Sequence, residues 1–144
     1  MPDLPGRILL DTHVWIWTVS GETERIAPAV VEQIRRGAAR GRLLVSAISV
    51  WEVAMLQGKG RIGLALELEE WVRRGLSAPG VRLAELSPEV LVESTRLPGE
   101  VHGDPADRML IATARRLGAA LATRDGAILS YAGGGHLAVL DATP

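Results

Sequence analysis

Four acidic residues of this chain, Asp11, Glu52, Asp107 and Asp125, have the types and positions for chemistry. Like charges held close together repel and raise one another's pKa values, and a bound divalent cation relieves that repulsion. The donors are oxygens, with no cysteine anywhere and no pair of histidines at metal-binding spacing. Such a set favours a hard cation, Mg²⁺ or Mn²⁺. A hard cation on carboxylates suits phosphoryl transfer, because it polarises the phosphate and lowers the pKa of a bound water, so a phosphodiester is the natural substrate. Singly, each acid also has a plainer explanation. Glu52 would close a capping box with Ser49. Asp107 would complement a helix dipole behind an Asp104 cap and Pro105. Asp11 and Asp125 would serve as turn or cap residues. The case for chemistry is the set.

Other polar residues are expected around the acids. Thr123 and Ser46 fall near the same edge, where their hydroxyls would bind a water or phosphate or satisfy backbone groups. Asp104 is a helix cap or an outer support of the acids. Arg108 and Arg124 flank Asp107 and Asp125 and are candidates for phosphate contact, with solvated surface the equal reading. His13, two residues past Asp11, is expected in a packing or orienting role.

The elements that must bring the acids together follow from periodicity. Short apolar runs alternate with helical patterns, which is α/β architecture. Strands are predicted at Arg7 to Asp11, Leu43 to Ser46, Val81 to Leu86, Ala119 to Thr123 and Leu137 to Leu140. Helices are predicted at Pro28 to Arg40, Ser49 to Gln57, Ala65 to Leu76, Pro88 to Thr95, Ala106 to Leu117 and Asp125 to Tyr131. Strands separated by helices imply a mainly parallel sheet with helices on both faces, because parallel strands need crossovers. Ligands bind such sheets outside the carboxyl ends of the strands. Asp11 and Asp125 follow strands, Glu52 opens the helix after a strand, and Asp107 begins a helix that starts at the same edge. All four acids therefore share one address.

Composition narrows the class. The chain has 144 residues, 47% hydrophobic and 23% charged, and reads as a single domain over 1–144 with a core of its own. Without cysteine there is neither a disulfide nor a thiolate metal site, and the reducing cytoplasm is the expected compartment. A net charge of −1 argues against a globally basic nucleic-acid binder while leaving room for a local basic rim. No apolar run is long enough for a membrane span, and no leader segment is apparent at the N-terminus. Trp15, Trp17, Trp51 and Trp71 lie in apolar helical patterns and are expected in the core or a dimer interface, as the chain has no Phe.

The motifs resemble a known family. Leu-Leu-Asp11-Thr12-His13, Ser46-Ala-Ile-Ser49-Val-Trp51-Glu52, Asp104-Pro-Ala-Asp107-Arg108 and Thr123-Arg-Asp125 occur, in this order, as they do in PIN-domain ribonucleases, most like the VapC-type toxins of bacterial toxin–antitoxin pairs. The resemblance spans essentially the whole chain. It implies a three-layer α/β/α sandwich around a five-stranded, mainly parallel sheet. It also implies Mg²⁺- or Mn²⁺-dependent endoribonuclease activity, homodimerisation, and an antitoxin that covers the site. Asp11, Glu52, Asp107 and Asp125 match the family's four acids. Asp11, Asp107 and Asp125 would hold the cation, and Glu52 would share that role or orient the attacking water. In-line attack would leave a 5′-phosphate and a 3′-hydroxyl.

Rival classes fit less well. A haloacid-dehalogenase-like site would want an Asp at position 13, where His13 stands, and a receiver domain would want a lysine near the end of a late strand, whereas Lys59 is the only lysine. A housekeeping RNA-processing nuclease, or a non-catalytic module that binds RNA or a partner, are the remaining alternatives.

Overall fold

The computed structural model describes residues 6–144. The expected leaderless N-terminus falls largely on residues 1–5, outside the described residues. Five strands form one sheet: β1 (Arg7–Leu10), β2 (Leu43–Ser46), β3 (Val81–Ala84), β4 (Ala119–Thr123) and β5 (Val139–Asp141). The helices among the described residues are α1 (Thr12–Val19), α2 (Pro28–Ala39), α3 (Ala47–Gly58), α4 (Leu68–Ser77), α5 (Pro88–Ser94), α6 (Pro105–Leu117) and α7 (Gly126–Ala132), with a 3₁₀ turn at Thr23–Arg25. The strand order is β3-β2-β1-β4-β5, and every neighbouring pair is parallel.

The order explains where a site can form. The chain leaves β1 to build β2 and β3 on one side, then crosses back to build β4 and β5 on the other. The connections after β1 and β4 therefore diverge and leave a crevice at their carboxyl ends. In register, Leu10 sits beside Val45 on one side and Ala122 on the other. Asp11 and Thr123 thus emerge from adjacent strands at nearly the same level.

Side-chain alternation divides the core. Ile8 and Leu10 of β1, with Leu43 and Val45 of β2, point into one layer with Val14, Trp15, Ile34 and Trp71. Leu9, Leu44 and Leu121 point into the other, with Val90, Leu110, Ile111 and Ile128. Fully buried strands with apolar residues on both faces are what a parallel sheet between two helical layers requires. The expected three-layer sandwich is present, and its sheet is parallel throughout.

Local chemistry sets most boundaries. Asp104 caps α6 by accepting from the Asp107 N–H at 2.9 Å, Pro105 is its first residue, and Gly118 ends it in the left-handed region at φ 61°. Ser46 caps α3 through the Ile48 N–H at 3.1 Å, so this helix begins at Ala47, two residues before the expected Ser49. The capping-box reading of Ser49 and Glu52 is thereby corrected: Glu52 lies in the second helical turn. No helix is among the elements predicted over Thr12–Val19, a run apolar on nearly every side in which Trp15 and Trp17 nonetheless fit a helical pattern. The structure makes it helix α1, wedged among other elements, with Val14, Trp15 and Ile16 buried.

Candidate active site

Each acid is set by an element end. Asp11 leaves β1 and caps α1, its Oδ1 accepting from the Val14 N–H at 2.8 Å. Asp125 leaves β4 and caps α7, its Oδ2 accepting from the Ile128 N–H at 3.0 Å. Asp107 lies in the first turn of α6, and Glu52 projects from α3. The cap explanations for Asp11 and Asp125 are therefore true as well, and the same geometry that caps the helices aims the carboxylates at one crevice.

Two threonines brace the cluster. The Thr123 hydroxyl donates to Asp11 Oδ2 at 2.5 Å and accepts from the Asp125 N–H at 3.0 Å, tying together the acids that follow β1 and β4. The Thr12 hydroxyl donates to Glu52 Oε1 at 2.5 Å. Its oxygen is also 2.9 Å from Ser49 Oγ. Since the Thr12 proton goes to Glu52, Ser49 is the donor in that second bond. All three hydroxyls are buried, and none is left without a partner.

The electrostatics match a crowded acidic centre. Burial raises the pKa of Asp11, partly offset by the bonds from Thr123 and Val14, and the Asp125 charge adds to the rise. Burial also raises Glu52, against the Thr12 bond, with Asp107 and Asp104 pushing the same way. Asp107 is raised by burial, opposed by its bond to His102, and raised further by Asp104 and Asp125. Pairwise repulsion thus links all four acids expected to meet, and Asp104 belongs to the same field.

The surrounding residues sort differently. Ser46 uses its buried hydroxyl on its own helix cap. Arg108 is turned inward: its Nε donates to Ser94 O at 2.8 Å and its Nη1 to the carbonyls of Val101 and His102. It acts as a strut of the loop before α6, which corrects its expected place as a phosphate contact. Arg124 lies outward, its guanidinium 5.2 Å from the centre of the Trp17 ring and bonded to Arg25 O at 2.9 Å. His13 is exposed on α1, with its ring 5.7 Å from the same Trp17 ring. Trp15 and Trp71 meet edge to face in the core at 4.9 Å, whereas Trp51 is 56% exposed.

Three contributors escape a sequence reading. Thr12 and Ser49 gain their roles only when α1 packs against α3. His102 lies in the loop before α6 with its Nε2 2.8 Å from Asp107 Oδ2. Ligand atoms of His102, Asp107 and Asp125 lie within 4.8 Å of one another. The His-Gly-Asp-Pro-Ala-Asp spacing around a helix cap was the available signal, since the cap turns the chain back upon itself. A hollow of about 820 Å³ lies elsewhere, beside α1, α2 and α4, lined by Trp15, Ile26, Ile34, Trp71 and Val81 and by none of the four acids.

The PIN domain family model matches residues 8–134, nearly all of this sheet and its helices. The chain belongs to the PIN-domain family. Within it, Ribonuclease VapC22 of Mycobacterium tuberculosis (strain ATCC 25618 / H37Rv) is 36% identical over 124 residues, covering 86% of this chain and 91% of that protein. Among solved structures, DNA-bound VapBC from Salmonella typhimurium aligns with a TM-score of 0.65 at 16% identity, over 93% of this chain and 96% of that one. FitAcB from Neisseria gonorrhoeae aligns with a TM-score of 0.59 at 23% identity, over 92% and 96%. At those identities the solved structures speak for the PIN fold.

Proposed function

We propose that this PIN domain is a divalent-cation-dependent endoribonuclease, Mg²⁺ or Mn²⁺ being the ion, and that it is the toxin of a toxin–antitoxin pair, acting as a single domain over 1–144. The observation that carries the reading is the convergence of Asp11, Glu52, Asp107 and Asp125 on the crevice between β1 and β4, with the pKa values of Asp11, Glu52 and Asp107 raised. The likeness to a ribonuclease at 36% identity supports the substrate class. The residues fit such an ion. Its donors sit about 2.1 Å from the metal and hence roughly 3–4 Å from one another, close to the spacing of the cluster around Asp107 and Asp125.

Asp11, Asp107 and Asp125 would hold the cation, with Glu52 sharing the load. When bound, the ion supplies charge neutralisation at the phosphate and a more acidic water. The chain's own groups do the rest. Thr123 keeps Asp11 and Asp125 aimed into the crevice. Thr12 occupies Oε1 of Glu52, leaving Oε2 to orient the attacking water. Arg124, exposed on the outer rim, would leave its Trp17 and Arg25 contacts to meet a phosphate of the substrate strand. Products would carry a 5′-phosphate and a 3′-hydroxyl.

A cognate antitoxin is proposed because the similar solved structures include VapBC from Rickettsia felis and a toxin–antitoxin complex from Klebsiella pneumoniae. A homodimer is proposed with it, for which the exposed side chains of Trp51, Leu83, Leu91 and Val92 offer apolar surface. No helix among the described residues is long and apolar enough to cross a membrane.

The deciding experiment maps new RNA 5′ ends after induced expression in bacteria, with wild type beside Asp107→Asn. New 5′-phosphate ends at discrete sites, absent from the variant, are expected. Soluble, folded wild-type protein that creates no new ends would overturn the reading in favour of a non-catalytic binding module.

A further inference from the structure

His102 is an addition to the acidic set that the family resemblance does not assign. We propose that His102 is an inner ligand of the active-site cation, binding through Nε2 beside Asp107 and Asp125, and that this nitrogen tilts the site toward Mn²⁺ over Mg²⁺. The inference rests on the proposed function only for the presence of a divalent ion in the crevice.

The argument begins with placement. Nε2 is hydrogen-bonded to Asp107 Oδ2 at 2.8 Å, and once the shared proton is released to an arriving ion that distance is about the separation of neighbouring donors on one octahedral ion. Asp125 offers a third ligand atom within 4.8 Å of both. The imidazole side chain is 26% exposed and that of Asp107 23%, so the pair opens onto the crevice without being free in solvent.

The loop is also built to hold the ring there. Arg108, one residue past Asp107, donates to the carbonyls of Val101 and His102 and, further back, of Ser94. Asp104 and Pro105 turn the chain between the two ligands. His102 and Asp107 are thus joined by a capped helix start on one side and an arginine strut on the other. A ligand pair fixed in advance loses little freedom when an ion arrives.

Charge balance gives the nitrogen a purpose. Another carboxylate would add to repulsion that already raises three of the four acids, whereas a neutral imidazole adds a donor with no charge. It also changes which ion is preferred. Carboxylate and water suit Mg²⁺ and Mn²⁺ alike, but imidazole favours transition ions, and Mg²⁺ demands hard oxygen donors.

The test uses the full chain loaded with Mn²⁺ and needs no RNA. Pulsed electron paramagnetic resonance should show the hyperfine coupling of a directly bound imidazole nitrogen in wild type. That coupling should vanish in His102→Ala and persist in His13→Ala, the other histidine near the acids. Calorimetric titrations with Mn²⁺ and Mg²⁺ should show the Mn²⁺-to-Mg²⁺ affinity ratio falling about tenfold in His102→Ala. His102→Asn serves the same comparison should the alanine variant fold poorly.

Absence of the nitrogen coupling in wild type would overturn the proposal, as would its survival in His102→Ala. Equal weakening of both ions would also overturn it, leaving His102 a positioning residue for Asp107. The two readings fail separately. A protein that cuts RNA but shows no imidazole coupling sinks this inference alone. One that shows the coupling and cuts no RNA sinks the proposed function alone.

Discussion

At the residue scale, the site is held by hydroxyls that donate to carboxylates. A buried carboxylate such as Asp11, 7% exposed, must be satisfied by donors, and it has two, the Val14 N–H and the Thr123 hydroxyl. Thr123→Val keeps the shape of the side chain but removes the donor to Asp11 and the acceptor for the Asp125 N–H. The expected loss is about 1–3 kcal/mol of stability, the range for orphaning a buried polar partner. Urea unfolding would measure it. Weaker cation binding should accompany it, because Asp11 and Asp125 lose their common tie. The exposed pairs of Glu32 with Arg35 and Arg36, and of Glu70 with Arg73 and Arg74, are a contrast. Each sits on one helix face in solvent, where such pairs add little.

At the element scale, helix starts are the devices that aim the acids. Asp104 caps α6, and that cap positions Asp107 three residues on. Asp104→Ala is expected to cost about 1 kcal/mol, seen as a lower melting temperature and looser cation binding. Asp104→Asn keeps the cap and removes a charge that raises both Glu52 and Asp107, so its metal-free melting temperature should stay level or rise. A melting temperature for the asparagine variant as low as that of the alanine variant would show that charge, and not capping, is its contribution. Strand positioning depends on a different residue. Gly80, at φ +81°, leads into β3, and a Cβ there would lie 2.0 Å from the Ala38 carbonyl oxygen in α2. Gly80→Ala is therefore both strained and blocked by backbone, and a loss of about 3 kcal/mol is expected in chemical denaturation.

At the scale of the whole molecule, the acidic centre opposes the fold that carries it. Asp11, Glu52 and Asp107 all have raised pKa values. In the unfolded chain these groups lose their protons near pH 4, while the metal-free native state holds its protons to higher pH. The native state therefore binds more protons in that window, and stability must fall as pH rises from about 4 through the raised values. The lowered values of Glu32, Glu70 and Asp141 have the opposite sign, but they act below that window and on exposed groups. Metal-free protein should melt at a lower temperature at pH 8 than at pH 5, a result that scanning calorimetry would give directly. Saturating cation at pH 8 should restore the loss, since a ligand at a hundred times its Kd adds about 2.7 kcal/mol. A flat profile without metal would mean that burial and the neighbouring charges do not hold Asp11, Glu52 and Asp107 above their ordinary values.

Much of this protein is legible in its residues alone. The parallel sheet, the flanking helices and the address of the four acids follow from local rules: apolar runs at strand length, helical periods, caps such as Asp104 and Ser87, and the limited ways in which parallel strands can be joined. Those rules depend on neighbours in the chain, so a sequence contains them. What the tertiary structure decided depends on neighbours far apart in the chain. Helix α1 carries no clear polar stripe, and its buried side is set by the elements it packs against, where Thr12, Val14, Trp15 and Ile16 are covered. Thr12 reaches Glu52 across 40 positions, and Thr123 reaches Asp11 across 112. Arg108, which in sequence looks as available as Arg124, is drawn inward by carbonyls that only the folded loop presents. His102 becomes a neighbour of Asp107 and Asp125 because a helix start and a strand end meet at the same crevice. Hydrogen bonds and charge repulsion act over a few ångströms of space, and only the folded chain determines which residues those ångströms separate.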